Sequence, residues 1–175
     1  MRRLYALGLA VALGGCVTLP PPPAPPQGWA FEGRIALSRG EEGLSGQLDW
    51  RHDTTRDELR LRSPLGQTVA RIVRDPAGVT LETGEATHHA ADAESLTQAS
   101  LGASLPLSGL AWWVRGQPDP ARPHRADPPA GPPTRLWQDG WTIDYRDRFA
   151  DGLPRKLDAR RDDLRLRLLV ERWAE

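Results

Sequence analysis

Apolar and polar residues alternate along most of the chain after residue 28. Trp29, Phe31, Gly33, Ile35 and Leu37 alternate with Ala30, Glu32, Arg34 and Ala36. Leu44, Gly46, Leu48 and Trp50 alternate with Ser45, Gln47 and Asp49. A period of two with one polar face predicts half-buried antiparallel strands. Asp57 to Val73 predicts two more, joined at a tight corner. Leu59 and Leu61 alternate with Glu58, Arg60 and Arg62 before it. After it Val69, Arg71 and Val73 share one face, and Ala70 and Ile72 the other. The corner, Ser63-Pro64-Leu65-Gly66, has Ser first, Pro second and Gly fourth, as a type I turn favours. Val79, Leu81 and Thr83 predict a fifth strand, and Glu85 to Ala90 allows a short sixth.

The period then changes. Asp92 is a good N-cap for a helix carrying Leu96 and Leu101, with Gly102 as its stop. A second helix is expected after Pro106, where Leu107, Leu110, Ala111 and Val114 fall at i, i+3, i+4 and i+7 and Gly116 ends the run. Trp112 and Trp113 flank its apolar stripe and are expected in the core or a lid. Gln117 to Pro133 holds seven prolines and reads as a long irregular, mobile excursion. Leu136-Trp137-Gln138, Asp139-Gly140 and Trp141 to Tyr145 then predict a hairpin on its preferred two-residue turn. Arg155 to Arg160 and Leu164 to Val170, joined through Asp162-Asp163, supply the last two strands. The fold class is therefore mainly β, with about ten strands in one highly curved antiparallel sheet. Two helices inserted between strands six and seven are the available cover for its buried face. A hydrophobic ligand would fit between sheet and helices.

Leu65 sits third in the corner, where tips are normally polar. Two readings stand side by side. An exposed leucine is common and can be harmless; alternatively, this tip meets something apolar.

The N-terminus adds a targeting segment, residues 1–15. Arg2 and Arg3 precede an apolar run from Leu4 to Leu13, too short to span a membrane. It ends in Leu13-Gly14-Gly15-Cys16, and Cys16 is the chain's one cysteine. This resembles the bacterial lipoprotein signal, which implies cleavage before Cys16 and acylation there. Val17 in place of Asp is compatible with outer-membrane sorting in the enterobacterial pattern. Residues 16–28 then form a lipidated, Pro-rich tether. Its 12 residues from Val17 to Gly28 reach at most roughly 37 Å in polyproline II.

Cleavage of the first 15 of 175 residues leaves 160, enough for one domain, residues 29–175, with a sizeable core. The 23 basic residues lose Arg2 and Arg3, so 21 face 23 acidic ones, a charge near −2. No basic surplus argues for nucleic acid. With Cys16 acylated no thiol remains for a disulfide, so stability must come from packing, for which seven Trp are available.

Enzymatic chemistry has no clear carrier. His88 and His89 are adjacent and in a strand point to opposite faces. No nucleophile elbow, phosphate loop or metal-ligand spacing occurs. Asp49 and Asp144 alternate with apolar residues and read as solvated. No cofactor or metal is expected, and no residue is assigned a catalytic role.

These pieces resemble the LolB family of outer-membrane lipoproteins. The motifs are Gly33-Arg34, Trp50, Pro64-Leu65-Gly66, Gly102 through Leu105-Pro106, Leu110 and Trp112 to Gly116, then Trp141, Tyr145, Leu153-Pro154 and Trp173. The resemblance covers residues 29 to 175 almost throughout, and it rests on order and spacing rather than any single motif. It implies an incomplete β-barrel with a helical lid and an apolar cavity for acyl chains. It also implies that Pro64, Leu65 and Gly66 form a membrane insertion loop in which an exposed leucine delivers cargo. One departure is visible: the family usually has a helix before the first strand, where this chain has its proline tether. A smaller lid is expected, with the cavity more open or covered by Gln117 to Pro133.

The expected function is that of a lipid-anchored, monomeric acceptor. It would take lipoproteins from a LolA-like periplasmic carrier by their acyl chains and insert them into the outer membrane. Leu48, Trp50, Leu59, Leu61, Val69, Ile143, Tyr145, Leu166 and Leu168 are the candidate cavity residues, with Leu96, Leu110 and Trp113 from the lid. The rivals are a general hydrophobic-ligand binder and a structural lipoprotein whose barrel is filled by Trp and Leu. An enzyme ranks last.

Overall fold

A computed structural model describes residues 24–25, 27–101 and 104–174. The signal segment, Cys16, most of the tether and Gly102 lie outside these. The strands are β1 (Gly28–Arg39), β2 (Glu42–Asp53), β3 (Asp57–Arg62), β4 (Thr68–Asp75), β5 (Gly78–Thr83) and β6 (Thr87–Ala90). Two helices follow, α1 (Ala93–Leu101) and α2 (Leu107–Trp113). Then come β7 (His124–Asp127), β8 (Arg135–Gln138), β9 (Trp141–Arg148), β10 (Pro154–Arg161) and β11 (Leu164–Trp173).

All eleven strands form one sheet in the order β6-β5-β4-β3-β2-β1-β11-β10-β9-β8-β7. Every neighbouring pair is antiparallel. The first and last strands pair at the centre, and the two edges, β6 and β7, are not joined, so the barrel is incomplete. The chain passes from one edge to the other through α1 and α2, which places these helices across the opening.

The predicted alternation sorts the side chains. On β11 Leu164, Leu166, Leu168 and Val170 are buried while Arg165 and Arg167 are exposed. On β1 a bulge beside Gly33 brings it against β11, where an added Cβ would lie 2.2 Å from the Leu169 carbonyl oxygen. Only glycine fits that approach.

Several expectations need correction. The sheet has eleven strands, because His124–Asp127 inside the proline-rich stretch pairs with β8. The stretch is also pinned. The Gln138 side chain accepts from the Asp119 backbone N–H at 2.9 Å and donates to the Asp119 and Arg122 carbonyls at 2.9 and 3.3 Å. Asp144 is not solvated. It is buried beneath Arg135, Arg146 and Arg160, all ion-paired to it. Asp49 is half-buried and paired with Arg62 at 2.7 Å.

Candidate functional site

The β3–β4 hairpin holds its tip rigidly. The Gly66 N–H donates to the Ser63 carbonyl at 2.9 Å, closing the four-residue turn, and the Ser63 N–H donates to Gln67 O at 2.8 Å. Gly66 takes φ +82°, a left-handed conformation that costs glycine little. Pro64 fixes its own φ. The product is a stiff corner presenting Leu65, which is 88% exposed. Leu65 therefore does not fold back over the core, and both readings of an exposed leucine start from this geometry.

Val69 departs from expectation. Leu61 pairs with Ala70 and Arg62 with Thr68, so Val69 is the extra residue of a bulge. It is 45% exposed and does not line the interior; Ala70 and Ile72 occupy the inward positions of β4. Val69 instead adds apolar surface close to the hairpin tip.

The other interior candidates do meet. Leu48, Trp50, Leu59, Ile143, Tyr145, Leu166 and Leu168 from the sheet join Leu96, Leu110 and Trp113 from the helices in one hydrophobic cluster, with Leu61 packed against it. They do not surround an open chamber. Trp50, Trp113 and Ile143 have 0% exposure and Leu110, Leu166 and Leu168 nearly none, so these side chains pack against their neighbours. The apolar cavity expected from the sequence is closed in this structure by its own lining.

Hydrogen bonds fasten the lid to that interior. Asp92 caps α1 through the Ser95 N–H at 2.7 Å, and those bonds hold its carboxyl below the ordinary aspartate range. Thr97 on α1 accepts from the Leu105 N–H at 2.8 Å, tying α1 to the segment that enters α2. On α2 Leu107, Leu110, Ala111 and Trp113 face inward while Trp112 is 38% exposed. The Trp113 indole donates to Gln138 Oε1 at 2.8 Å, and the Tyr145 hydroxyl donates to the Trp113 carbonyl at 3.0 Å. Burial pushes the Tyr145 phenol well above its ordinary pKa.

One buried polar group was not anticipated. Asp57 accepts from the Trp50 indole at 2.9 Å, contacts His52 Nδ1 at 2.6 Å and pairs with Arg74 at 2.5 Å. Burial alone would raise its pKa, but the His52 and Trp50 hydrogen bonds and the Arg74 charge outweigh it, so the carboxyl lies below the ordinary value. Parity was the available signal: Asp57 falls on the same face as Leu59 and Leu61. Gln138 likewise shares the inward parity of Leu136.

A half-open sheet, a helical cover and an apolar tip can bind and hand over a hydrophobic group without covalent chemistry. Comparison with known proteins shows the family. The sequence profile of the family described as "Outer membrane lipoprotein LolB" matches residues 27–173. The chain belongs to the LolB family. It is 48% identical to the outer-membrane lipoprotein LolB of Thiobacillus denitrificans, over 99% of this chain and 98% of that protein. It is 37% identical to that of Chromobacterium violaceum, over 99% of each. It is 36% identical to that of Cellvibrio japonicus, over 97% and 95%. LolB proteins are outer-membrane lipoproteins of lipoprotein transport, not enzymes. The Gly33, Trp50, Pro64-Leu65-Gly66 and Trp113 positions on which the resemblance rested are now a bulge, a buried anchor, a rigid turn and a lid bolt.

Proposed function

We propose that this chain is the outer-membrane acceptor for lipoproteins released by a soluble periplasmic carrier of the LolA kind. The acyl chains of the cargo enter between the sheet and α1–α2, and Leu65 assists their passage into the bilayer. The observation that carries this reading is Leu65 itself, a fully presented leucine on a rigid turn in a member of this family. Because the interior is closed, cargo enters by displacing the helices. Burial of an acyl chain at about 0.8 kcal/mol per methylene amounts to roughly 10 kcal/mol. That exceeds the few hydrogen bonds fastening α2, each worth about 1 kcal/mol, provided the acyl chain covers the Leu107, Leu110 and Trp113 surface that parts from the sheet.

The test is reconstituted transfer from carrier to liposomes, following bound and inserted cargo separately. One leucine entering a bilayer contributes only about 1.5–3 kcal/mol, too little to anchor the protein but enough to orient it. Leu65→Glu is therefore expected to accept cargo normally and fail to release it, so cargo accumulates on the protein. Normal insertion by Leu65→Glu would contradict the reading. The filled interior favours one other reading, a structural lipoprotein that binds nothing. It predicts no cargo uptake by the parent protein.

A further inference from the structure

The outer face of the central strands carries cations without partners. Among the described residues the side chains of Arg165 and Arg167 on β11 and of Lys156 on β10 make no hydrogen bond or ion pair. Arg165 stands directly opposite Arg160 in the β10–β11 ladder, and like charges so placed oppose each other. Arg167 stands opposite Asp158 without pairing to it: Asp158 Oδ2 is bonded to Arg146 at 3.1 Å and its Oδ1 makes no hydrogen bond. Asp162 and Asp163 border the same face, with Asp163 beside Arg39 at 3.5 Å. Two depressions of about 890 and 470 Å³ run over this face and share Arg167. The second is bordered by Pro64, so it reaches the turn that carries Leu65.

We propose that this groove seats anionic phospholipid headgroups, so that Leu65 and the β11 arginines engage the bilayer together. The inference rests on the membrane-delivery reading above and names the lipid class that it requires. A guanidinium suits phosphate because its planar fork donates in pairs. An apolar tip flanked by arginines is the arrangement that lies in a membrane interface, with the leucine below the headgroups and the cations among them. The chain's mature charge near −2 gives no general attraction to an anionic surface, so the local excess at this face determines which side turns to the membrane.

The experiment uses the full-length acylated protein in vesicles of phosphatidylethanolamine, with or without phosphatidylglycerol. A fluorophore on a cysteine replacing the exposed Gln67 reports hairpin seating through a lipid-borne quencher. Seating is expected to be strong with phosphatidylglycerol, weak without it, and reduced by salt. Each cation near an anionic leaflet contributes about fivefold, so Arg165→Ala/Arg167→Ala should lower the seating equilibrium roughly 25-fold. Arg165→Lys/Arg167→Lys should retain most of it. Equal seating on both vesicles, or by the double alanine variant, would overturn the proposal. Loss of cargo uptake from the carrier in detergent solution, with seating unchanged, would assign the face to an acidic protein and also overturn it. Failure of the delivery reading looks different, because it appears as normal cargo insertion by Leu65→Glu.

Discussion

Asp57 shares the inward parity of Leu59 and Leu61, and its burial is tolerated because Trp50, His52 and Arg74 supply opposing donors. Removing one partner of such a group leaves the others unmet. Asp57→Ala should therefore cost about 3 kcal/mol in urea unfolding, mainly by stranding Arg74 and the Trp50 indole. The pH dependence follows from the lowered pKa. The folded state holds this proton less tightly than the unfolded chain, so the contribution is present above the unfolded value of about 4. It is lost as pH falls through the lower folded value. The stability gap between parent and Asp57→Asn should be widest near neutrality and shrink below about pH 4. An unchanged gap at pH 3 would show that Asp57 is not held ionised. Leu65 was legible for the opposite reason: turn chemistry fixed its place without any tertiary partner. Asp144 was not, because the three arginines that bury it come from β8, β9 and β10, an assembly that alternation within one strand does not display.

Strands and helices were legible wherever one face is apolar and the other wet. The exception is β7, four residues between Pro123 and Pro128 that carry no apolar alternation. It is an edge strand, which needs one hydrogen-bonded side only, and prolines are tolerated at such edges. Gly33 shows the reverse, a position whose role appears only when two distant strands meet. Gly33→Ala should clash with the Leu169 carbonyl and cost about 2 kcal/mol, lowering Tm by roughly 4–8 °C in thermal unfolding. Trp113→Phe replaces the fully buried indole by a smaller phenyl ring and removes its bond to Gln138. It should destabilise the fold by about 2–3 kcal/mol through the lost hydrogen bond and the void left behind and, by loosening α2, raise the rate of acyl-chain uptake. A slower rate would mean that α2 does not have to move.

At the scale of the molecule, an eleven-stranded sheet stays open because its edge strands are short and the helices occupy the gap. The sequence pattern indicated which residues face inward, Val69 apart, but not whether they leave space. Alternation reports a side, whereas filling depends on how Trp50 meets Trp29 and Phe31 and how Trp113 meets Trp141. Closure makes the account specific: cargo must part the helices from the sheet, and Leu110 on α2 must then touch the acyl chain. The decisive measurement is photocrosslinking from a diazirine amino acid at position 110, with acylated cargo presented by the carrier. The account predicts an adduct to the cargo's acyl chains, absent for non-acylated cargo and increased in Leu65→Glu, where cargo accumulates. Efficient cargo transfer with no adduct from position 110 would contradict it.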